Sequence, residues 1–250
     1  MATNRESVLS NRQVGVISAV FILISYSIVN QPVQVIHHLT DEDGLFENIG
    51  AFFFLSTSLI FLFSFFRQSH PQYFLFRQVE QNYSLLILGI LFFFIFAEEI
   101  SWGQRIFNIE AGDFFKERNI QNETNLHNLK AFNSVNANNI KREWWDIFSM
   151  SRLFRIFWFT WCFVIPVSIQ LFPVFHDFFK KAGIPFVPPL FGVLMIINFG
   201  AFKFFESRLG QMAEVVEIEE CIAAFLFFLI ALVNFPVSEG RELKNEPIRG

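Results

Sequence analysis

Apolar residues along the chain form six long runs, and polar segments separate them. Most runs approach about 20 residues, the length that an α-helix needs to cross a bilayer. Strands are not expected, because the runs are too continuous for the alternation of a membrane barrel. The pattern therefore predicts an all-α, polytopic membrane protein with about six transmembrane helices. Their predicted positions are 14–29, 46–66, 83–97, 153–174, the stretch from the proline cluster at 185–189 to about 205, and 221–237.

Positive charge in the connecting segments predicts the orientation of these helices. With a cytoplasmic N-terminus, the cytoplasmic segments hold nine Lys and Arg residues, and the short loops on the other side hold two. Because cytoplasmic loops are enriched in Lys and Arg, both termini are predicted to be cytoplasmic. Residues 1–250 then form a single membrane domain. The segment 98–152 is a long extracytoplasmic loop on the membrane surface, and 238–250 is a short cytoplasmic tail.

Composition narrows the classes of protein that this chain can belong to. It is 53% hydrophobic and contains 38 Phe, more than the core of a soluble domain of this length can bury. The predicted partner is therefore the lipid bilayer. A net charge of -4, evenly spread, argues against a nucleic-acid partner. Two cysteines in apolar runs exclude a disulfide framework and CxxC metal motifs.

With this topology, several acidic residues and a histidine come from separate chain regions to the extracytoplasmic face. We expect the third helix to deliver a pair of adjacent glutamates there, and the acids before the second and sixth helices to lie nearby. The candidate residues are Glu47, Glu98, Glu99, His127, Glu217 and Glu220.

The glutamate pair Glu98-Glu99 has two interpretations. In the first, it is a ligand or an acid–base pair that faces a cavity. If the third helix continued, Glu98 would share one side with Ser101, Trp102 and Arg105. In the second, both glutamates are solvated interfacial charges, with Arg105 as a local partner.

Two histidine regions also have alternative interpretations. His127, between asparagines, is either a metal ligand or general base or an ordinary turn residue. His37-His38, followed by acids at 41–43, could supply ligands, but acids ahead of a helix also stabilise its N-terminal end, which is the favoured interpretation.

The best functional hypothesis from these residues is a membrane hydrolase that acts on a lipid or a membrane peptide. Glu98, Glu99 and His127 would be catalytic, and Arg105 would hold a phosphate or carboxylate of the substrate. A divalent metal (Zn, Mn, Mg or Ca) would activate water and offset the repulsion between the glutamates. The alternatives are a non-enzymatic scaffold or accessory subunit and, last, a transporter or cation-binding protein. The candidate metal ligands are Glu47, Glu98, Glu99, His127, Glu217 and Glu220.

Three strings resemble those of a family of multi-pass bacterial membrane proteins: EDG with Glu47, EEISWGQR at 98–105, and NxQxExNLHN at 119–128. The resemblance covers roughly residues 40–130 and implies a bacterial inner (plasma) membrane location and the helical fold, but no activity. The Glu98-Glu99 pair is also similar to that of CAAX-type intramembrane proteases. The chain departs from their pattern, since Gly103 stands where Arg is expected and no histidine follows His176.

Overall fold

The computed structural model describes residues 8–41, 44–68, 72–104, 106–120, 122–130, 149–209 and 215–235. Within these ranges the chain is mostly helical, and four stretches are long and apolar enough to cross a membrane. The predicted class of helical membrane protein is confirmed at this level. The four stretches are Asn11–Asn30, Val33–Arg67, Met150–Leu171 and Pro189–Arg208.

Two further apolar helices occupy the third and sixth predicted runs, Tyr83–Glu99 and Val215–Val233. A π-helical segment, Thr160–Val164, joins α6 to α7. The helices are α1 Asn11–Ser27, α2 Val33–Thr40, α3 Leu45–Arg67, α4 Tyr83–Glu99, α5 Asp113–Arg118, α6 Met150–Phe159, α7 Ile165–Leu171, α8 Pro173–Ala182, α9 Pro189–Leu209 and α10 Val215–Val233.

Side-chain caps begin two of these helices. At α1, the Ser10 hydroxyl accepts from the Gln13 backbone N–H, and the Gln13 side chain accepts from the Ser10 N–H. At α4, the Asn82 side chain accepts from the Ser84 N–H at 2.9 Å. Such bonds satisfy N–H groups that the first turn leaves without a helical acceptor, so these polar residues fix where each helix begins.

Helix α10 forms the centre of the bundle and packs on α3, α9 and α1. It is buried along most of its length. Gly50 of α3 faces α10 so closely that an added Cβ would lie 3.5 Å from the Cys221 Cα. Gly89 of α4 faces α3 still more closely, since an added Cβ would meet the Leu62 side chain at 2.7 Å. Small residues therefore allow the close helix packing that is typical of membrane bundles.

The prediction that no strands form was wrong for the segment between α3 and α4. There β1 (Gln72–Phe74) pairs antiparallel with β2 (Arg77–Val79). The hairpin is fixed to the end of α8, where the Leu75 and Phe76 N–H groups donate to the carbonyls of Ala182 and Lys181. Because this segment lies between helices and not within one, its backbone can pair locally.

Several predicted helix ends were also displaced. Helix α10 begins six residues before the predicted start at 221, so Glu217 and Glu220 lie inside the helix. The fourth apolar run was predicted to end at 174, but its helix ends at Leu171, and Pro173 begins the separate helix α8. Of the predicted surface loop, 105, 121 and 131–148 lie outside the described residues, as does the predicted tail at 238–250.

Candidate functional site

Helix α4 ends in a tight turn immediately after the glutamate pair. Ser101, Trp102 and Gly103 all have positive φ, at 47°, 54° and 78°. Non-glycine residues rarely adopt this left-handed conformation, and such strain persists only where surrounding contacts enforce it. The helix therefore does not continue, and the predicted alignment of Glu98 with Arg105 on one helical face does not form; Arg105 itself lies outside the described residues.

The Glu98 carboxylate is buried, with 4% of the residue exposed, and the protein supplies donors to both of its oxygens. The Trp102 indole N–H donates to Oε1 at 2.7 Å. The backbone N–H groups of Leu126 and His127 donate to Oε2 at 2.6 and 3.0 Å. Its solvated-charge interpretation is therefore wrong, and the side chain ties the loop at 122–130 to the end of α4.

A second set of bonds joins the same two segments. The Ser101 hydroxyl donates to the Glu123 carboxylate at 2.6 Å, and the Asn125 amide donates to it at 2.7 Å. The Thr124 N–H donates to the Gln104 side chain at 2.6 Å. We call these contacts, with those of Glu98, the loop brace. Glu123 and Asn125 were not predicted as site residues, although the density of amides and acids in NETNLHN was a signal for such a network.

A cavity of about 100 Å³ opens beside the loop brace. It lies between the end of α4 and the starts of α6 and α10, with Phe54 of α3 completing the wall, so four helices and the loop contribute to it. One part of the wall is aromatic and aliphatic. The other part is polar and contains Glu98, Glu99, His127, Ser151 and Glu220; we call this space the carboxyl cavity.

Two carboxylates in the carboxyl cavity, Glu99 and Glu220, lack the donors that Glu98 has. Both residues are half-buried, and among the described residues no hydrogen-bond donor reaches either carboxylate. Glu220, Glu217, Glu47 and Glu98 lie near enough to Glu99 for like charges to repel one another. His127 and Arg155 interact favourably with Glu220. The cavity thus holds two acids from different helices that are coupled by repulsion.

Glu219, which precedes Glu220 on α10, lies outside the carboxyl cavity in a buried polar network. Its carboxylate lies 3.6 Å from an Arg155 nitrogen, and only 3% of the side chain is exposed. The Asn198 amide donates to the Glu219 carbonyl at 2.9 Å, and the Tyr26 hydroxyl donates to the Asn198 side chain at 2.9 Å. Glu219 therefore belongs to a buried network that connects α1, α6, α9 and α10.

The predicted site residues come together only in part. Glu98, Glu99, His127 and Glu220 line the carboxyl cavity. Glu47 and Glu217 interact with Glu99 electrostatically but do not line the carboxyl cavity.

The predicted metal-ligand set does not assemble. Among the residues that the structure describes, no group of three or more His, Cys, Asp or Glu side chains is placed to hold a metal ion. One physical reason is that N–H donors occupy both oxygens of Glu98.

Comparisons with known proteins add no family to this geometry. No family model matches the chain, and neither the curated proteins nor the solved structures give a match. The resemblance to multi-pass bacterial membrane proteins therefore stays a prediction, and only the geometry of the site bears on function.

Proposed function

We propose that the protein is a membrane-embedded hydrolase whose Glu99 and Glu220 form an acid–base pair acting on a lipid or a membrane peptide. One observation carries this proposal: two repelling carboxyl groups from α4 and α10 line the carboxyl cavity without donors from the described residues. Their sequence neighbours Glu98 and Glu219 do have such partners.

Elementary electrostatics assigns different protonation states to the two groups. Two carboxyls that repel each other at a poorly solvated site are most stable when they share one negative charge and one proton. The charged group can then act as a general base while the neutral group acts as a general acid. Metal is not needed for this division of roles.

The hydrolytic step balances with water as the only co-reactant. The carboxylate removes a proton from water, and the water oxygen bonds to the acyl carbon of the substrate. The bond between that carbon and the leaving oxygen or nitrogen breaks, and the neutral carboxyl donates its proton to the leaving atom. The products are a carboxylic acid and an alcohol or amine, and the pair ends with its protonation exchanged.

Two of the originally predicted catalytic residues take other roles in this proposal. Glu98 positions the loop, because its carboxylate accepts from the backbone N–H groups of residues 126 and 127. His127 lines the cavity, and its Nδ1 lies 3.6 Å from Glu98. A ring held there can hydrogen-bond to a polar substrate group, or to a cavity carboxyl.

The proposal includes a topology with six crossing helices, both termini cytoplasmic and the carboxyl cavity at the extracytoplasmic end. Both natural cysteines are buried, at 0% and 2% exposure, so a cysteine introduced at an exposed site reports its own accessibility. In intact bacteria, a membrane-impermeant maleimide should label Glu110→Cys and should not label Leu75→Cys at the hairpin. The reverse pattern would overturn the orientation.

The enzymatic test uses purified protein in lipid nanodiscs and a panel of ester- and amide-linked lipids and membrane peptides. Hydrolysis should appear with the native protein and fall by at least about 100-fold in Glu99→Gln and in Glu220→Gln, since each loses one proton-transfer role. Glu206→Gln is the matched control, because this exposed carboxylate pairs with Lys203 outside the cavity. Activity that survives in both cavity variants would refute the acid–base pair.

Cation binding is a second candidate function, favoured by the four glutamates that act on Glu99. A bound cation would offset their repulsion in place of a shared proton. Calorimetric titration with Mn²⁺, Ca²⁺ and Zn²⁺ decides between the two. Binding that disappears in the Glu99→Gln/Glu220→Gln double variant supports the cation site, and the absence of heat with all three ions contradicts it.

A further inference from the structure

A second cavity, of about 420 Å³, lies along α4 and α6, which both also line the carboxyl cavity. Its wall is almost entirely apolar. Helix α4 contributes Ser84, Ile87 and Leu88, and the segment from α6 to α7 contributes residues between 156 and 165. Nothing in the acid–base proposal uses this space, which we call the apolar cavity.

The two cavities follow one face of α4. Apolar-cavity residues 84, 87 and 88 and carboxyl-cavity residues 95, 98 and 99 recur at spacings of three, four and seven, which places them on a single stripe of a helix. Helix α6, on the opposite wall, also contributes residues to both cavities. Phe154 lines the carboxyl cavity, Phe157 lines the apolar cavity, and both rings pack on Phe227 of α10.

The seam is the line along which α4 meets α6 and the π segment. Aromatic rings make this contact, since the Phe92 ring centroid lies 6.2 Å from that of Phe157 and 6.4 Å from that of Trp161. In the described part of the bundle, α4 packs chiefly on α3, whereas α6 packs on the π segment and α9. The π segment itself places Thr160 and Trp161 on the wall of the apolar cavity. The Trp161 indole N–H donates to the Pro185 carbonyl at 3.2 Å, which holds the ring in place. Such π-helical turns are frequent at functional sites.

The distance from the carboxyl cavity to the near edge of the apolar cavity matches one leaflet of a bilayer. Leu88 and Glu99 are eleven positions apart on α4, which corresponds to about 16 Å along the helix axis. The hydrocarbon region of one leaflet is about 15 Å thick. A chain that begins at the carboxyl cavity and runs along the seam would therefore end beside Leu88.

We propose that the substrate of this site is an acyl lipid, not a peptide, with its ester or amide group in the carboxyl cavity and its hydrocarbon chain along the seam into the apolar cavity. This inference depends on the proposed hydrolase site for the position of the head group. An acyl chain fits the seam because it is thin, apolar and as long as a leaflet. A peptide helix is about 10 Å wide and carries side chains all round, whereas the apolar cavity holds about 420 Å³.

Photolabelling tests the chain position without requiring catalysis. The probe is a single-chain ether lipid, which cannot be hydrolysed, with a diazirine near the end of its chain, added to the protein in nanodiscs. Mass spectrometry should find the label on residues of the apolar cavity, such as Leu88 and Thr160. A probe with a chain of half that length should not label Leu88, because it would end within the carboxyl-cavity half of the seam.

Tryptophan variants provide the matched comparison. Ile87 and Ile156 line the apolar cavity and are 55% and 53% exposed, so Ile87→Trp and Ile156→Trp can fill it without disturbing the core. Each should reduce labelling of the seam by about tenfold or more, since several methylene groups lose their apolar contact. Ile90→Trp is the control, because Ile90 is 57% exposed on the same helix and lines neither cavity.

The outcomes separate this inference from the proposed function. Equal labelling of Ile90 and Leu88, or undiminished labelling in both tryptophan variants, overturns the lipid seam even if Glu99→Gln abolishes hydrolysis. Hydrolysis of membrane peptides and not of lipids overturns it as well. Seam labelling that Ile87→Trp and Ile156→Trp remove supports it, and if no hydrolysis accompanies that result, only the proposed enzymatic function fails.

Discussion

Two pairs of adjacent glutamates lie at the same end of the bundle, Glu98-Glu99 on α4 and Glu219-Glu220 on α10. In each pair one carboxylate is satisfied by protein groups: Glu98 by three N–H donors, and Glu219 by Arg155. The other member of each pair lines the carboxyl cavity. Neighbours on a helix point about 100° apart, so a doubled acid can place one group in a structural network and the other in a site.

The two kinds of carboxylate affect stability in opposite directions. A buried acid with donors on both oxygens stabilises the fold, and removing it leaves those donors unsatisfied. An acid that faces a like charge in a poorly solvated cavity weakens the fold, and proteins retain such groups mainly at functional sites. Four substitutions test this contrast, and unfolding can be followed in each with a dye that reacts with the buried thiols of Cys162 and Cys221 as they become exposed.

The largest effect is expected for Glu98→Ala. Three N–H donors lose their acceptor, two of them on the backbone of the loop, so we expect the free energy of unfolding to fall by about 3 kcal/mol. The midpoint of thermal unfolding measures this loss. Glu99→Ala is the control on the neighbouring position, and a comparable loss there would show that both glutamates are structural.

Removing the partner of Glu219 should have the next largest effect. Arg155→Met leaves a buried carboxylate without its cation, and because the arginine side chain is 28% exposed we expect a loss of about 2 kcal/mol. Adding Glu219→Gln to that variant should restore part of the stability, because no unpaired charge remains. If the double variant were less stable than Arg155→Met alone, the carboxylate would not depend on Arg155.

Neutralising a cavity carboxylate should change stability less and in the opposite direction. Glu99→Gln removes the repulsion by four glutamates, so the free energy of unfolding should rise by about 1 kcal/mol or stay constant. Thermal unfolding of the native protein and the variant at low and high salt measures this change in stability. A loss as large as that of Glu98→Ala would erase the distinction between the two positions.

The smallest effect is expected at an exposed ion pair outside the bundle, between Glu110 and Lys116. A hydrogen bond from the Lys116 ammonium, at 2.7 Å, lowers the pKa of Glu110, and the same bond raises the pKa of Lys116. Its contribution to stability is present at neutral pH, and is lost as the pH falls through the lowered pKa of Glu110 or rises through the raised pKa of Lys116.

Because both groups of this pair are exposed and screened by salt, Glu110→Gln should leave the unfolding midpoint unchanged within error. Unfolding scans of the native protein and the variant between pH 3 and 11 measure the difference. A shift comparable with that of Arg155→Met would mean that surface pairs matter as much as the buried network.

The apolar pattern predicted the helical class, and together with the distribution of Lys and Arg it predicted the convergence of several acids. The apolar runs place the helices, and in the structure the end of α4 and the first turns of α10 line the same cavity. The division of labour within each glutamate pair was not predictable. It depends on the left-handed turn at Ser101 and Trp102, which brings the loop back over Glu98. Glycine is the residue that usually marks such a turn in a sequence, and neither of these two positions is glycine.

Sequence separation also explains why Glu123 and Asn125 were missed. Their partner Ser101 lies 22 and 24 positions earlier, across a segment whose path no local pattern dictates. The predicted metal-ligand set finds no support among the described residues, and one reason is also non-local. Counting acids at one membrane face cannot reveal that the two oxygens of one of them are already occupied by donors.

The loop brace has a consequence for the order in which the protein assembles. Its bonds join segments that are both synthesised before α6 and α10, so the end of α4 can be locked while later helices are still emerging. The approach of Glu220 to Glu99 in the carboxyl cavity needs α10, the last described helix, and so it occurs late. The two repelling acids would then meet only after the surrounding framework is rigid. Their repulsion would therefore not prevent the earlier helices from packing.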